Sequence, residues 1–208
     1  LLNCLDLRAC PSDEARDDVT LFDGSNLQLE YHRLFGGQLL GQFVRAAQLS
    51  CPEKSIKSLH AVFAREGRAD EPVRYDVTRQ HEGRSFATLT AVARQSRGVL
   101  ATASVSMHAH EDGPDLQTID AVPGVLPADT RTEFSLIPWE TRTTTDLADP
   151  GVSAPEFEMW MRTPEVDSVF APALAAYATD LNLIGTALLG IDGFDHTGNG
   201  TKFTSAVT

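Results

Sequence analysis

Gly36-Gly37-Gln38-Leu39-Leu40-Gly41-Gln42-Phe43-Val44-Arg45-Ala46-Ala47-Gln48-Leu49-Ser50 is the stretch that decides the fold. Leu40, Phe43 and Ala47 share one face of a helix, and Leu39, Phe43 and Ala46 the adjacent one. Only Gln38, Gln42, Arg45 and Gln48 interrupt the apolar surface. The spacing therefore predicts a helix over 36–50 that is buried on nearly every side. Gly41 inside it costs about 1 kcal/mol relative to alanine. That cost makes sense if a strand or a ligand passes very close.

Beyond the helix, four runs read as strands: Ile56–Arg65, Val73–Gln80, Ser85–Arg94 and Val99–Met107. Val73, Tyr75 and Val77 alternate with Arg74, Asp76 and Thr78, the period of a half-buried strand. His81-Glu82-Gly83-Arg84 and Ser96-Arg97-Gly98 supply hairpin glycines. A central helix followed by an antiparallel meander makes a complete unit of about 110 residues. On the other side of the helix, residues 1–10 read as a short amphipathic helix ended by Pro11. An acidic loop follows, then extended chain from Val19 to His32, broken at Asp23-Gly24.

Residues 113–131, rich in proline and without periodicity, read as a linker. The first pattern then starts again. Thr132–Arg142 and Glu156–Arg162 read as strands, Val169–Leu189 as a strong helix, and 202–208 as the start of another strand. The reading is an α+β protein with an N-terminal unit (1–112), a linker (113–131) and an incomplete C-terminal unit (132–208).

Composition bounds what such a fold can do. The 208 residues are 42% hydrophobic and 22% charged, which excludes disordered, collagen-like and fibrous chains. No apolar run approaches the roughly 20 residues that span a bilayer. The opening Leu1–Asp6 lacks the basic and apolar regions of a signal peptide. Cys4, Cys10 and Cys51 cannot all pair and match no metal spacing, which suits a reducing cytoplasm. The net charge is −12. Residues 31–110 carry 11 Lys/Arg against 6 Asp/Glu, a local excess of +5, and the rest of the chain carries −17. An acidic chain repels nucleic-acid backbones, so no nucleic-acid partner is expected. The basic segment either attracts a small phosphorylated ligand or is an arginine-rich solvated face.

At 100° per residue, Ala173, Ala176, Ile184 and Ala187 flank Asp180 on a continuous helix. A carboxylate in such a stripe must be paired, hydrogen-bonded, protonated or beside water. Either neighbouring backbone or Thr179 satisfies it, or it stands in a pocket to orient and deprotonate water. Other polar residues carry less. His60 reads as a hydrogen-bonded core residue, His108 and His110 lack a third metal ligand, and nothing is arranged to activate Cys51.

Three segments resemble the acyl-CoA thioesterase II family, the double-hotdog thioesterases. Leu34 to Gln42 resembles the opening of that family's first central helix. Lys57–Gly67, Tyr75–Arg79 and Gly83–Thr88 resemble the strand set of the first hotdog. Ala176-Tyr177-Ala178-Thr179-Asp180-Leu181-Asn182-Leu183-Ile184-Gly185-Thr186-Ala187 resembles the catalytic helix of the second. The resemblance implies a double hotdog, each sheet wrapped around a central helix, with the second repeat incomplete.

It also implies a chemistry. An Asp, a Thr or Ser on the following strand and a Gln further along activate one water, which attacks the thioester of an acyl-CoA without an acyl-enzyme. Asp180 matches the Asp. Thr208 matches the hydroxyl, with Thr204 as the fallback, and the Gln is expected beyond Thr208. Gly36 and Gly37 open the first central helix and stand as candidate substrate-binding donors, or as glycines that only let strand and helix approach. No cofactor, metal or membrane is implied. Two alternatives remain, a non-catalytic acyl-CoA-binding module and a hotdog hydratase. A half-built second hotdog would leave a sheet edge and an apolar helix uncovered, so the chain is expected to associate as a homo-oligomer or to continue past Thr208.

Overall fold

The computed structural model describes residues 1–10, 18–27, 33–114, 116, 118, 124–134, 136–145 and 151–191. They belong to two compact units, Leu1–Asp115 with Val166–Thr179, and Leu116–Glu165 with Asp180–Thr208.

The first unit is a sheet wrapped on one helix. In chain order its elements are α1 (Leu2–Leu5), β1 (Arg8–Cys10), β2 (Val19–Gly24), α2 (Gly36–Ser50), β3 (Lys54–Phe63), β4 (Val73–Glu82), β5 (Phe86–Gln95), β6 (Gly98–Ala109) and, from further along the chain, α3 (Ala171–Ala178). The sheet is antiparallel throughout, in the order β1-β2-β4-β5-β6-β3. The α2 bounds are those the apolar spacing predicts.

Two expectations about this unit are corrected. Residues 1–10 are not one helix: α1 is a single turn, and β1 then pairs with β2 as an edge strand. Nor are the four long strands a simple meander. β3 crosses to the far edge and pairs with β6, so the sheet closes around α2 from both sides.

The core is the inner face of the sheet against α2. Val73, Tyr75, Val77, Ala87, Leu89, Ala91, Ala93, Ala101, Ala103, Val105 and Met107 alternate inward and pack on Leu39, Phe43, Ala46 and Ala47. Alanines at the strand centres keep the sheet close to the helix, and Phe43 fills the space beside Tyr75, edge to face with ring centroids 5.3 Å apart.

β3 departs from strict alternation. A bulge between Ile56 and Ser58 shifts the register by one residue. Ile56 packs on the core before it, Leu59 and Ala61 after it. His60, expected in the core beside Val62, is exposed instead, because one extra residue turns the following side chains over.

The second unit holds β7 (Glu140–Thr143), β8 (Met159–Arg162) and α4 (Leu183–Leu188). The expected strands 132–142 and 156–162 shrink to these four-residue pieces, paired antiparallel. Glu140 bridges Arg142 and Arg162, and both guanidiniums lie over the Trp160 ring. The expected continuous helix 169–189 is also corrected. A short 3-10 turn at Ser168–Phe170 leads into α3, which stops at Ala178, and α4 begins only at Leu183.

Candidate active site

α2 presents three different faces, set by the 100° step between residues. One is the apolar face on the sheet. The second carries Gln38 and Gln42, one turn apart and both fully buried. The Gln38 amide donates to Asn26 Oδ1 (2.9 Å) and to Gln42 Oε1 (3.2 Å), while its own Oε1 accepts from the Leu27 amide (2.9 Å). Gln42 Nε2 donates to the carbonyls of Cys4 (2.7 Å) and Ser25 (2.9 Å), and its Oε1 accepts from the Tyr75 hydroxyl (2.5 Å). Asn26 in turn donates to the Ala69 and Glu71 carbonyls. Burial pushes the Tyr75 phenol well above its usual range, so it stays a donor. The network satisfies each buried amide and ties α1, the end of β2 and the 69–71 loop to one side of the helix. On the sequence alone these glutamines only interrupt an apolar surface. Their four-residue spacing on a buried helix was the available signal.

The third face carries Gly37, Gly41 and Arg45, and α3 runs antiparallel across it. A Cβ at Gly37 would overlap the Tyr177 carbonyl oxygen, and one at Gly41 would stand 3.0 Å from the Ala173 carbonyl. The close neighbour that Gly41 anticipates is thus a helix. Phe35, just before α2, packs edge to face on Tyr177. Two turns on, Arg45 is only 7% exposed. Its guanidinium donates to the Leu5 carbonyl (3.3 Å), the Val169 carbonyl (3.4 Å) and Gln48 Oε1 (2.8 Å), and stacks on Phe170 at 4.6 Å. Burial lowers its pKa, opposed by the Asp6 and Asp167 carboxylates.

This face leads to Asp180. α3 ends where the Thr179 hydroxyl turns back to donate to the Ala176 carbonyl (2.7 Å). Asp180 and Leu181 follow, and Asn182 takes the left-handed conformation at φ 58°. Its carbonyl accepts from both the amide and the hydroxyl of Thr186, starting α4. Asp180 is therefore a half-buried corner residue between two short helices. The apolar stripe expected around it does not exist: Ala173 is buried under α2, and Ala187 is exposed.

The other candidates fall as follows. Gly36 is half-buried in the first turn of α2, and Gly37 is fully buried beside Tyr177. Thr204 and Thr208 lie outside the described residues. His108 is nearly buried, with its ring on Phe86 and Nε2 3.2 Å from Glu111. Cys51 is buried, and its thiol is pushed up by burial and by the nearby Glu82 carboxylate, the opposite of an activated nucleophile. No helix among the described residues is long and apolar enough to cross a membrane.

An antiparallel sheet wrapped around one buried helix defines the hotdog class of α+β proteins. The acyl-CoA thioesterase N-terminal domain family matches residues 29–108. Over 200 residues the chain is 30% identical to acyl-CoA thioesterase 2 of Haemophilus influenzae, covering 84% of this chain and 69% of that protein. The acyl-CoA thioesterase II TesB2 of Mycobacterium marinum superposes with a TM-score of 0.64 at 26% identity, over 90% of this chain and 69% of that one. The tesB protein of Mycobacterium avium subspecies paratuberculosis shares the fold, with a TM-score of 0.70 at 24% identity over 91% of this chain and 71% of that one. The chain belongs to the acyl-CoA thioesterase II family, a family of thioester hydrolases.

Proposed function

We propose that the protein hydrolyses fatty acyl-CoA to free fatty acid and CoA, with Asp180 as the carboxylate that activates water. The observation that carries this is the likeness to the Haemophilus influenzae thioesterase along 84% of the chain. The half-buried corner supports it further. Asp180 is half-buried, which leaves its side chain within reach of water.

In this reading the water oxygen attacks the thioester carbonyl carbon and passes its proton to Asp180. The Thr208 hydroxyl, or Thr204 in its place, orients the same water, together with a Gln further along the chain. The carbon–sulfur bond then breaks, and the CoA thiolate leaves and takes up a proton. Gly36 and Gly37, at the start of α2, stand as the substrate-binding residues of this reading. The recipe needs no metal or cofactor, because a thioester is electrophilic enough for positioned water. Three free thiols fit a cytoplasmic protein, and the sheet edge at β3 fits a homo-oligomer.

The test is release of free CoA thiol from acyl-CoA by the intact protein. Steady turnover supports the thioesterase reading. Binding without release would favour an acyl-CoA-binding module, and hydration of an enoyl-CoA would favour a hydratase.

A further inference from the structure

We infer that the outer face of the first unit's sheet carries a binding pocket for the phosphoryl group of a small molecule, held by Arg74 and Arg94. The inference lies wholly within the first unit and does not depend on the catalytic reading of Asp180. Strand pairing sets Arg8, Asp23, Arg74 and Arg94 directly opposite one another on β1, β2, β4 and β5. Three arginines and one aspartate thus form a single cross-strand row. Their strand neighbours Val73, Tyr75 and Ala93 point into the core, so the row faces outward. Like charges directly opposite destabilise a sheet, and Arg74 stands directly opposite Arg94. Beside the row opens a cavity of about 320 Å³, walled by the two arginines, Asp23 and the 71–72 and 95–96 turns. Pro72 alone among its lining residues is apolar, so the cavity suits a polar ligand over an acyl chain.

The way each arginine is held points to a phosphoryl group. Arg74 donates through Nε to Asp23 Oδ1 (3.3 Å), and Arg94 through Nε to Asp76 Oδ2 (2.7 Å). Among the described residues the terminal amines of both make no hydrogen bond. A guanidinium fixed at Nε keeps its two NH2 groups for an incoming oxyanion. Both side chains are about half-exposed, so an anion adds to these pairs without breaking a dry one. Two such forks on neighbouring strands exceed what the two oxygens of a carboxylate can use. A phosphate ester brings three acceptor oxygens and up to two charges. The opposite wall is built in advance. The Glu71 carboxylate accepts from the Ser96 amide (2.5 Å) and hydroxyl (2.9 Å), which engages both its oxygens. Gln95 joins the Arg68 amide and carbonyl to the Glu71 carbonyl. A wall already ordered lowers the cost of binding. The volume falls at the small end of ligand sites, roughly 300–1,000 Å³, which fits a phosphate ester of modest size.

The test titrates the intact protein with inorganic phosphate, AMP, CoA and dephospho-CoA, following the backbone amide resonances of Glu71, Arg74, Gln95 and Ser96. Saturable shifts of these amides are expected, weakening as salt is added. Arg74→Gln and Arg94→Gln are each expected to weaken binding by about tenfold or more. Tm should change little, since both ion pairs lie at the surface. Arg84→Gln, an exposed arginine in the turn at the other end of β5, removes the same charge and should alter binding by less than about twofold. A shift with CoA that dephospho-CoA fails to produce identifies the 3′-phosphate end of CoA as the occupant. A shift with AMP as strong as with CoA identifies nucleotide phosphates at large, and either result supports the pocket. No saturable shift with any of the four probes would overturn it. So would unchanged affinity in both folded pocket variants, or an equal loss in Arg84→Gln.

Discussion

α2 and the stretch 171–188 have the same character on paper and different fates in the fold. Both are apolar almost all round, and both are about four to five turns long. α2 is one unbroken helix, while the other is split into α3 and α4 around a left-handed Asn182. The difference lies in what their polar residues do. In α2 the long polar side chains, Gln38, Gln42 and Arg45, reach past the helix to partners elsewhere and leave its own ladder intact. In 179–182 the short polar side chains of Thr179, Asp180 and Asn182 sit next to the backbone, where such groups favour turns and caps. Asn tolerates the left-handed region better than other non-glycine residues. The continuity of an apolar helix is thus decided by the short polar residues within it.

The comparison breaks first at the cores of the two helices. Phe43→Ala removes the largest α2 side chain from the sheet core and should cost about 3–5 kcal/mol by chemical denaturation. A loss under about 1 kcal/mol would mean that α2 is not the centre of the first unit. The polar side of α2 comes next. Gln42→Ala strands the Tyr75 hydroxyl and the Cys4 and Ser25 carbonyls, and should cost about 2–3 kcal/mol. A neutral result would show that water replaces the amide at that position.

The corner itself sharpens the contrast. Asn182→Ala places a Cβ-bearing residue without a compensating polar group at φ 58° and should cost about 1 kcal/mol. Alanine at the exposed Leu49 of α2 should change stability by less than about 0.5 kcal/mol. Equal effects would mean that the α3–α4 break is not a fixed feature.

The smallest effect is in acid. Hydrogen bonding to Lys54, aided by Arg79, holds the Glu82 carboxyl below the usual carboxylate range. A depressed carboxylate contributes stability that is fully present above the unfolded value and is lost as pH falls through the folded one. Lys54→Met should therefore flatten the loss of stability below about pH 4.5. An unchanged acid limb in thermal unfolding would remove Glu82 from that account.

These contrasts also explain what could be read from residues alone. The bounds of α2 and the four long strands follow from period and turn chemistry, and they came out within a few residues. The bulge after Ile56 did not, because an inserted residue leaves no mark on composition, and every side chain after it changes face. His60 was misplaced for that reason alone. The crossing of β3 to the far edge was hidden because local alternation says nothing of which strands pair. Asp180 is legible as a carboxylate among apolar residues, but the stripe expected around it needs a continuous helix, and α3 stops at Ala178. The roles of Gly37 and Arg45 could not be read at all, since their partner, α3, lies more than a hundred residues away in sequence.

Asp180→Asn in the intact protein tests the central claim most directly, read as steady-state release of CoA from a fatty acyl-CoA. The amide keeps the size and most of the polarity of the carboxylate but cannot take the proton of water. The account predicts an unchanged Tm and a fall in kcat of about 10²- to 10⁴-fold, with KM little altered. Hydrolysis within a few-fold of the wild-type rate by a folded Asp180→Asn protein would contradict it.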